Sequence, residues 1–128
     1  EMCIRDRTSN DVAFKLGQAF SILEAIQIGA NKINTNKEIK STIRDRYFNS
    51  ACVTPAMVFP ILMRLKNSHI RKLERDKPNL AKYYEDRLRE IFEEVEYFPK
   101  RLSLEEQGKF ILGYYHQKQS KNEKQEEK

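Results

Sequence analysis

Residues 44–65 read RDRYFNSACVTPAMVFPILMRL, and this stretch mixes basic side chains with apolar ones that require burial. Thr54 is a favourable N-cap, and Pro55 suits the first helical turn, where its missing N–H would be unbonded anyway. A helix is therefore predicted to begin here. Pro60 follows five residues later, at a position where a backbone donor is normally bonded. It predicts a kink near Met57 or a restart of the helix after a short turn.

Apolar residues recur at intervals of three and four on both sides of this stretch, which is the spacing of helix faces. The other predicted helices span residues 11–30, 39–51, 80–98 and 103–115. The first has two apolar faces, typical of a helix in the middle of a bundle or of one that also docks on a partner. Ser103 and Glu106 form a capping box that opens the last helix. Gly108 and Gly113 lie inside that helix, where each costs about 1 kcal/mol relative to Ala, so a closely approaching neighbour is expected.

The predicted fold is an all-α bundle of about five helices, because no strand-like alternation extends over a useful length. The bundle domain is assigned to residues 10–118. Residues 1–9 are expected to be an unstructured N-terminal segment. Residues 119–128 contain no apolar side chain and are expected to be a disordered, charged tail.

Composition narrows the class of protein. Charged residues make up 34% of the chain and hydrophobic ones 39%, as in a soluble helical protein with heavily charged outer faces. No apolar run approaches the roughly 20 residues that span a bilayer, and no signal-peptide pattern is visible at the N-terminus. The two cysteines, Cys3 and Cys52, lack metal-ligand spacing and are too few for a disulfide framework. We therefore expect a reducing, cytoplasmic setting.

Positive charge is concentrated in the central third of the chain. The formal net charge is +5, yet residues 32–75 carry ten Lys or Arg against three acids, a local charge of +7. This pattern favours a surface that faces a polyanion, with a purely solubilising face as the alternative. Acids that normally intersperse a solubilising face are scarce here. The candidate nucleic-acid-binding residues are Lys37, Lys40, Arg44, Arg46, Asn49, Arg64, Lys66, Arg71, Lys72 and Arg75.

Neutral and aromatic side chains extend this candidate site. Asn49, Asn67 and Ser68 can supply neutral hydrogen bonds to a phosphate backbone. Tyr47 and Phe48 could stack on exposed bases, although aromatic residues at helical spacing usually belong to a core. We assign Tyr47 to the core and leave both interpretations open for Phe48.

The chain carries no catalytic motif. Cys52, His69 and His116 are the obvious candidates for catalysis, and none has an orienting partner at a recognisable spacing. His69 falls on the apolar line of the third helix and is interpreted as a histidine in the core or at its edge. Metal-ligand spacings and glycine-rich phosphate loops are absent from the sequence. We therefore predict a binding protein without enzymatic activity, metal or cofactor.

Two blocks of the sequence carry a family resemblance. They read RDRYFNSACVTPAMVFPILMRLKNSHIRKL, from Arg44, and RLSLEEQGKFILGYYHQKQ, from Arg101. At these blocks the chain resembles the C-terminal part of the large subunit of the subtype I-C CRISPR surveillance complex, a region also translated internally as a separate small subunit. The resemblance runs from about Leu16 to Gln119. It offers no residue assignment that can be transferred position by position.

The resemblance implies a helical bundle in a prokaryotic cytoplasm, packed along the crRNA-bearing backbone subunits, beside the large subunit and a second copy of itself. It implies that the bundle holds the unwound target DNA, chiefly the displaced non-target strand, and so stabilises the R-loop. Target cutting would belong to a separate recruited helicase-nuclease. A subunit that only bridges protein partners remains the alternative, and an enzyme that uses Cys52 or His69 is the third hypothesis.

Overall fold

The computed structural model describes the backbone of residues 2–34, 43–95 and 98–126, and the side chains of residues 12–30, 43, 46–95 and 98–119. These parts form five helices and contain no strand. The helices are α1 (Met2–Asn34), α2 (Ile43–Val53), α3 (Pro55–Asp76), α4 (Pro78–Glu93) and α5 (Leu104–Glu126). The predicted all-α bundle is confirmed.

The first and last helices are longer than predicted. α1 begins at Met2, so residues 2–9 are helical where an unstructured segment was expected. α5 continues to Glu126, past the position at which the tail was predicted to begin. Once a helix has formed, each added residue gains one hydrogen bond, and Lys, Gln and Glu are favourable helix formers without apolar contacts. The predicted first turn of the second helix, residues 39–42, lies outside the described residues.

The start of α3 differs in detail from the prediction. α3 passes through Pro60 as one continuous helix, so it does not restart after a turn. Thr54 occupies the N-cap position, but its hydroxyl donates a 3.1 Å hydrogen bond to the carbonyl oxygen of Ser50 and closes the end of α2 instead. The N–H of Ala56, in the first turn of α3, donates to the carbonyl oxygen of Pro99 at 3.0 Å. A distant loop thus satisfies a helix donor that the side chain of Thr54 leaves unbonded.

α4 ends earlier than predicted because the apolar residues after it turn into the core. It stops at Glu93, whereas Phe98 lies outside the helix and stacks on Phe59, with ring centroids 5.3 Å apart and an interplanar angle of 12°. The turn predicted between the third and fourth helices is confirmed, and Lys77 alone separates α3 from α4. The capping box of α5 is confirmed as well, with reciprocal hydrogen bonds of 2.8 and 3.2 Å between Ser103 and Glu106.

α1 is the central helix and packs against all four others, as its two apolar faces predicted. Phe20 anchors an aromatic cluster that draws one ring from α2 and two from α5. The members of this cluster are Phe20, Phe48, Phe110 and Tyr114, with centroid distances of 4.9 to 6.1 Å. Phe48 is therefore a core residue and not a platform for bases.

α1 and α5 cross at two glycines. A Cβ atom on Gly17 would overlap the carbonyl oxygen of Phe110, and one on Gly113 would overlap the carbonyl oxygen of Phe14. Only glycine permits this approach, so the close neighbour predicted at Gly113 is confirmed. Gly108 differs, because a Cβ there would meet nothing within 4 Å. The close approach predicted at Gly108 is therefore wrong for the part of the chain that the structure describes, and Gly108 lies on the exposed side of α5.

None of the described helices is long and apolar enough to cross a membrane.

Candidate nucleic-acid interface

α3 separates apolar and basic side chains onto opposite faces. Leu62, Ile70 and Leu73 are buried against the rest of the bundle. At 3.6 residues per turn, Arg64, Arg71 and the residues in line with them point the other way, into solvent. Burial of the apolar face therefore fixes the orientation of the basic face. The arginines are held outward by the packing of their own helix.

The outward face of α3 forms a shallow groove, which we call the α3 groove. Its lining residues are Arg64, Asn67, Ser68, Arg71, Lys72 and Arg75, and its volume is about 380 Å³. Arg64 and Arg75 are eleven residues apart, which corresponds to about 16 Å along a helix. That length corresponds to about five nucleotide steps measured along the axis of a duplex, at ~3.4 Å of axial rise per phosphate of one strand. The groove is long enough to follow a nucleic-acid backbone.

The cations of the α3 groove are not neutralised by other described residues. Four positive side chains line it, and none of them forms an ion pair with a residue that the structure describes. Elsewhere, Lys15 pairs with Glu94, and Arg89 pairs with Asp86. Glu74 is the single carboxylate between positions 64 and 75 of the sequence. The groove therefore presents excess positive charge to solvent.

Lys66 is on the same helix but does not belong to this groove. Its ammonium lies 3.8 Å from a carboxylate oxygen of Glu85 on α4, and only 14% of its side chain is exposed. Position 66 is about 200° around the helix from position 64, so the side chain points toward the bundle. Its charge alone placed Lys66 among the predicted binding residues. The structure assigns it to the contact between α3 and α4.

The structure places the remaining candidates apart from the α3 groove or outside the described residues. Arg46 and Asn49 are exposed on α2 and do not line the groove. Arg44 lies in α2, but its side chain is outside the described ones, and Lys37 and Lys40 are outside the described residues altogether. Of the ten candidate residues, the groove thus unites Arg64, Arg71, Lys72 and Arg75.

Asn67 and Ser68 were recognised as hydrogen-bond donors but were left out of the candidate binding residues. Both line the groove between Arg64 and Arg71. Their spacing of three and four residues from Arg64 was the available signal, since such positions share a helix face. An amide and a hydroxyl between guanidinium groups add neutral hydrogen bonds to a phosphate ester.

None of the described residues that line the groove is aromatic, so these side chains do not stack on bases, which is how many single-strand binders gain affinity. Guanidinium groups instead donate paired hydrogen bonds to phosphate oxygens. This set of side chains can bind a phosphodiester backbone by charge and hydrogen bonds, without reading the sequence of bases.

Burial affects both Cys52 and His69, the two residues considered as candidates for catalysis. Burial raises the pKa of the Cys52 thiol, and the thiol donates to the carbonyl oxygen of Gln107 at 3.6 Å. His69 is half-buried at the edge of the core, as predicted. Burial lowers the pKa of His69, and the charge of nearby Lys72 lowers it further. The described residues contain no group of three or more His, Cys, Asp or Glu placed to hold a metal.

Comparison with known proteins identifies the family of this chain. The family model described as CRISPR-associated protein (Cas_Csd1) matches residues 1–121. The match starts before Leu16, the residue at which the resemblance noted in the sequence began. No curated protein matches the chain. The family match covers all five helices except the last five residues of α5.

Proposed function

Because the chain belongs to the Cas_Csd1 family of CRISPR-associated proteins, we propose that it is a non-catalytic subunit that binds the phosphate backbone of target DNA in a surveillance complex. The proposed complex is of subtype I-C. In it the chain acts as the small subunit, or as the corresponding C-terminal part of the large subunit, beside the crRNA-bearing backbone subunits. Its substrate is the displaced non-target strand, and its effect is to stabilise the R-loop.

The observation that carries this proposal is the α3 groove. Four cations without ion-pair partners among the described residues, an amide and a hydroxyl follow one line of a rigid helix. Cationic side chains that contact phosphates release condensed counterions, so each contact adds affinity that depends on salt. A row of such contacts suits a flexible single strand, whose backbone can adapt to a straight helix.

Weak, sequence-independent binding of the phosphate backbone is sufficient to stabilise an R-loop. The RNA–DNA hybrid is about as stable as the DNA duplex that it replaces, so contacts to the backbone shift a nearly balanced exchange. The guide reads the sequence, and this subunit needs to read only charge. The described residues of the groove lining are charged or polar, which agrees with that division of roles.

The non-catalytic part of the proposal has its own support. The buried thiol of Cys52 has a raised pKa, which lowers the thiolate fraction that nucleophilic chemistry needs. Burial lowers the pKa of His69, and the cation of Lys72 lowers it further, whereas a catalytic base usually has a carboxylate to orient it. We expect Ala substitutions at these two positions to change stability alone.

The test is DNA binding by a charge-matched pair of triple variants. In the first, Arg64, Arg71 and Arg75 are changed to Gln. In the control, three exposed cations away from the groove, Lys82, Lys100 and Arg101, are changed to Gln. Binding of fluorescent oligothymidylate is measured by anisotropy at several salt concentrations, and circular dichroism verifies the fold of each variant.

Four phosphate contacts to a single strand give a slope of log K against log salt of about −3, and loss of three should leave about −1. The control should keep most of the slope. Lys66→Gln tests the assignment further, because this cation on the opposite face of α3 should leave the slope unchanged. Equal slopes for both triple variants would show that net charge, and not the groove, causes binding.

The same variants then enter a reconstituted surveillance complex, assembled with and without this chain. We expect target-duplex affinity to fall when the chain is absent or carries the groove substitutions. The alternative function, a purely structural bridge between protein subunits, predicts a different result. In that case the groove variants would either bind target like the wild type or fail to enter the complex.

A further inference from the structure

The outward face of α3 continues past the α3 groove toward the start of the helix. Met57 lies seven residues before Arg64 and Pro60 lies four before it, so both are in line with the groove residues. Both are exposed, Met57 at 73%. No charged residue stands between Met57 and Arg64 in the sequence, a distance of about 10 Å along the helix. This face of α3 therefore has an apolar end, formed by Met57 and Pro60, that adjoins its basic part.

Pro60 is an unfavourable residue for its position. It lies inside α3, and proline destabilises the interior of a helix because it lacks an N–H and its ring crowds the preceding turn. Burial of the ring in the core would offset this effect, but Pro60 is exposed. The packing of the described residues therefore does not account for a proline here. What binds to this face can account for it.

Pro60 also changes the hydrogen bonding of the first turn of α3. In an α-helix the carbonyl oxygen of Ala56 accepts a hydrogen bond from the N–H of residue 60, and proline has no N–H to donate. Ala56 is the immediate neighbour of Met57. The apolar end thus combines an exposed thioether and an exposed pyrrolidine ring with a carbonyl oxygen that has lost its usual helical donor.

The cations of the α3 groove do not by themselves distinguish a single strand from a duplex. Contacts of Arg and Lys with phosphates carry no information about the bases, and a duplex has the higher density of negative charge. Charge alone would therefore bind a duplex at least as strongly as a displaced strand. The proposed function needs a second set of contacts that selects unpaired DNA.

We propose that the apolar end of α3 binds one unpaired base of the strand whose phosphates lie in the α3 groove. This inference rests on the proposed function and names the feature that selects single-stranded DNA. The thioether of Met57 packs against the ring of the base, because sulfur contacts aromatic rings favourably. The carbonyl oxygen of Ala56 accepts a hydrogen bond from an N–H on the pairing edge of the base.

Such a site selects the state of the strand and not its sequence. Each of the four DNA bases carries an N–H on its pairing edge, so each can donate to the carbonyl oxygen of Ala56. In a duplex these N–H groups are already bonded to the partner base, and the flat faces of the bases are stacked on each other. A base is therefore available to Met57 only in a strand that has been unwound.

Two fluorescent oligomers of equal length test the contact with a base. One is oligothymidylate, and the other is the corresponding abasic chain, which has the same phosphates and no bases. The wild type should bind oligothymidylate about two- to tenfold more tightly in anisotropy titrations at low salt, the range of one contact between sulfur and an aromatic ring.

Met57→Ala should bring this ratio of affinities close to one and leave the salt slope of the wild type, because the phosphate contacts remain. Leu112→Ala is the matched control, since Leu112 is an apolar residue on α5 with 58% exposure, and it should keep the ratio. Arg71→Gln should weaken the binding of both oligomers by the same factor, so it should also keep the ratio.

Pro60→Ala tests the hydrogen-bond acceptor. The new N–H bonds to the carbonyl oxygen of Ala56, so the variant should be more stable to heat and should show a lower ratio of affinities. These opposite effects on stability and on binding separate loss of the site from loss of the fold. Circular dichroism verifies the helical content of each variant.

The outcomes separate this inference from the proposed function. A wild-type ratio near one, or a ratio that is unchanged by Met57→Ala or by Pro60→Ala, would overturn the base site. Salt-dependent binding through the α3 groove would then still support the proposed function. A wild type that binds neither oligomer, or one that binds both without any response to Arg71→Gln, would overturn the two together.

Discussion

The phenol of Tyr114 on α5 donates a 2.6 Å hydrogen bond to Oε1 of Glu24 on α1. Both side chains are buried, at 0% and 5% exposure. A buried carboxylate destabilises the folded state unless it accepts hydrogen bonds. The Glu24 side chain on α1 therefore requires that α5 place the Tyr114 hydroxyl beside it. It lies in the same helix pair as the two glycines, and it fixes the register at which the two backbones touch.

Removing this hydroxyl should weaken the fold. Tyr114→Phe keeps the ring in the aromatic cluster and leaves Glu24 without its donor, so the free energy of unfolding should fall by about 1–3 kcal/mol. Urea denaturation followed by circular dichroism measures the change. Tyr47→Phe, at a half-buried phenol on α2, is the matched control and should stay within about 0.5 kcal/mol of the wild type. Equal effects at both positions would show that the bond to Glu24 adds no stability.

The glycines of the bundle should respond to the same substitution in opposite ways. Gly17→Ala places a methyl group against the carbonyl of Phe110, so α1 and α5 must separate at a cost of at least about 3 kcal/mol. Gly108→Ala meets nothing and should stabilise the monomer by about 0.5–1 kcal/mol through helix propensity.

Thermal melts of the two alanine variants and the wild type, at a dilution that keeps the chain monomeric, test this pair of predictions. If Gly17→Ala prevents folding, the far-ultraviolet spectrum will show it directly. A Gly17→Ala variant that melts with the wild type would contradict the close crossing of the two helices.

Alkaline pH should destabilise the chain through Tyr84. Burial raises the pKa of this phenol from 10.0 to about 12, and the neighbouring Tyr83 contributes to the rise. The folded state therefore holds the proton more tightly than the unfolded state. This difference in pKa adds up to roughly 3 kcal/mol to the free energy of unfolding below pH 10, and that contribution is lost as the pH rises from 10 to 12.

Urea midpoints measured across that range should fall for the wild type and fall less for Tyr84→Phe, which has no proton to lose. Tyr115→Phe serves as the comparison at an exposed phenol. Parallel curves for the wild type and Tyr84→Phe would indicate that other groups cause the alkaline transition.

Periodicity predicted much of this fold, because the residues of one helix face lie only three or four positions apart in the sequence. The five helices, the central role of α1, the turn at Lys77 and the Ser103–Glu106 capping box all follow from residues within a few positions of each other. The errors arose where tertiary contacts decide. The hydroxyl of Thr54 can bond back to α2 because the N–H of Ala56 already has an acceptor, the carbonyl oxygen of Pro99 in the loop before α5. Phe98 lies outside α4 because its ring stacks on Phe59.

The candidate interface was predictable in part for the same reason. The alignment of Arg64, Arg71 and Arg75 on one face is a property of helical spacing. The exclusion of Lys66 is not, since it depends on Glu85 of a neighbouring helix. The exposure of Ile111 and Tyr115 on α5 was not predictable, because both have the residue types of a core and spacing alone does not tell an inward face from an outward one.

The crossing of α1 and α5 also sets when the bundle can form. Glu24 and Tyr114 are 90 residues apart in the chain, and the pair of Gln18 with His116 spans 98. Contacts of such separation form slowly, because the loop between them must close before they stabilise anything. A ribosome synthesises α5 after the other four helices described here, so the apolar side of α1 that α5 covers stays exposed until α5 has emerged. During that interval the exposed apolar side of α1 favours aggregation.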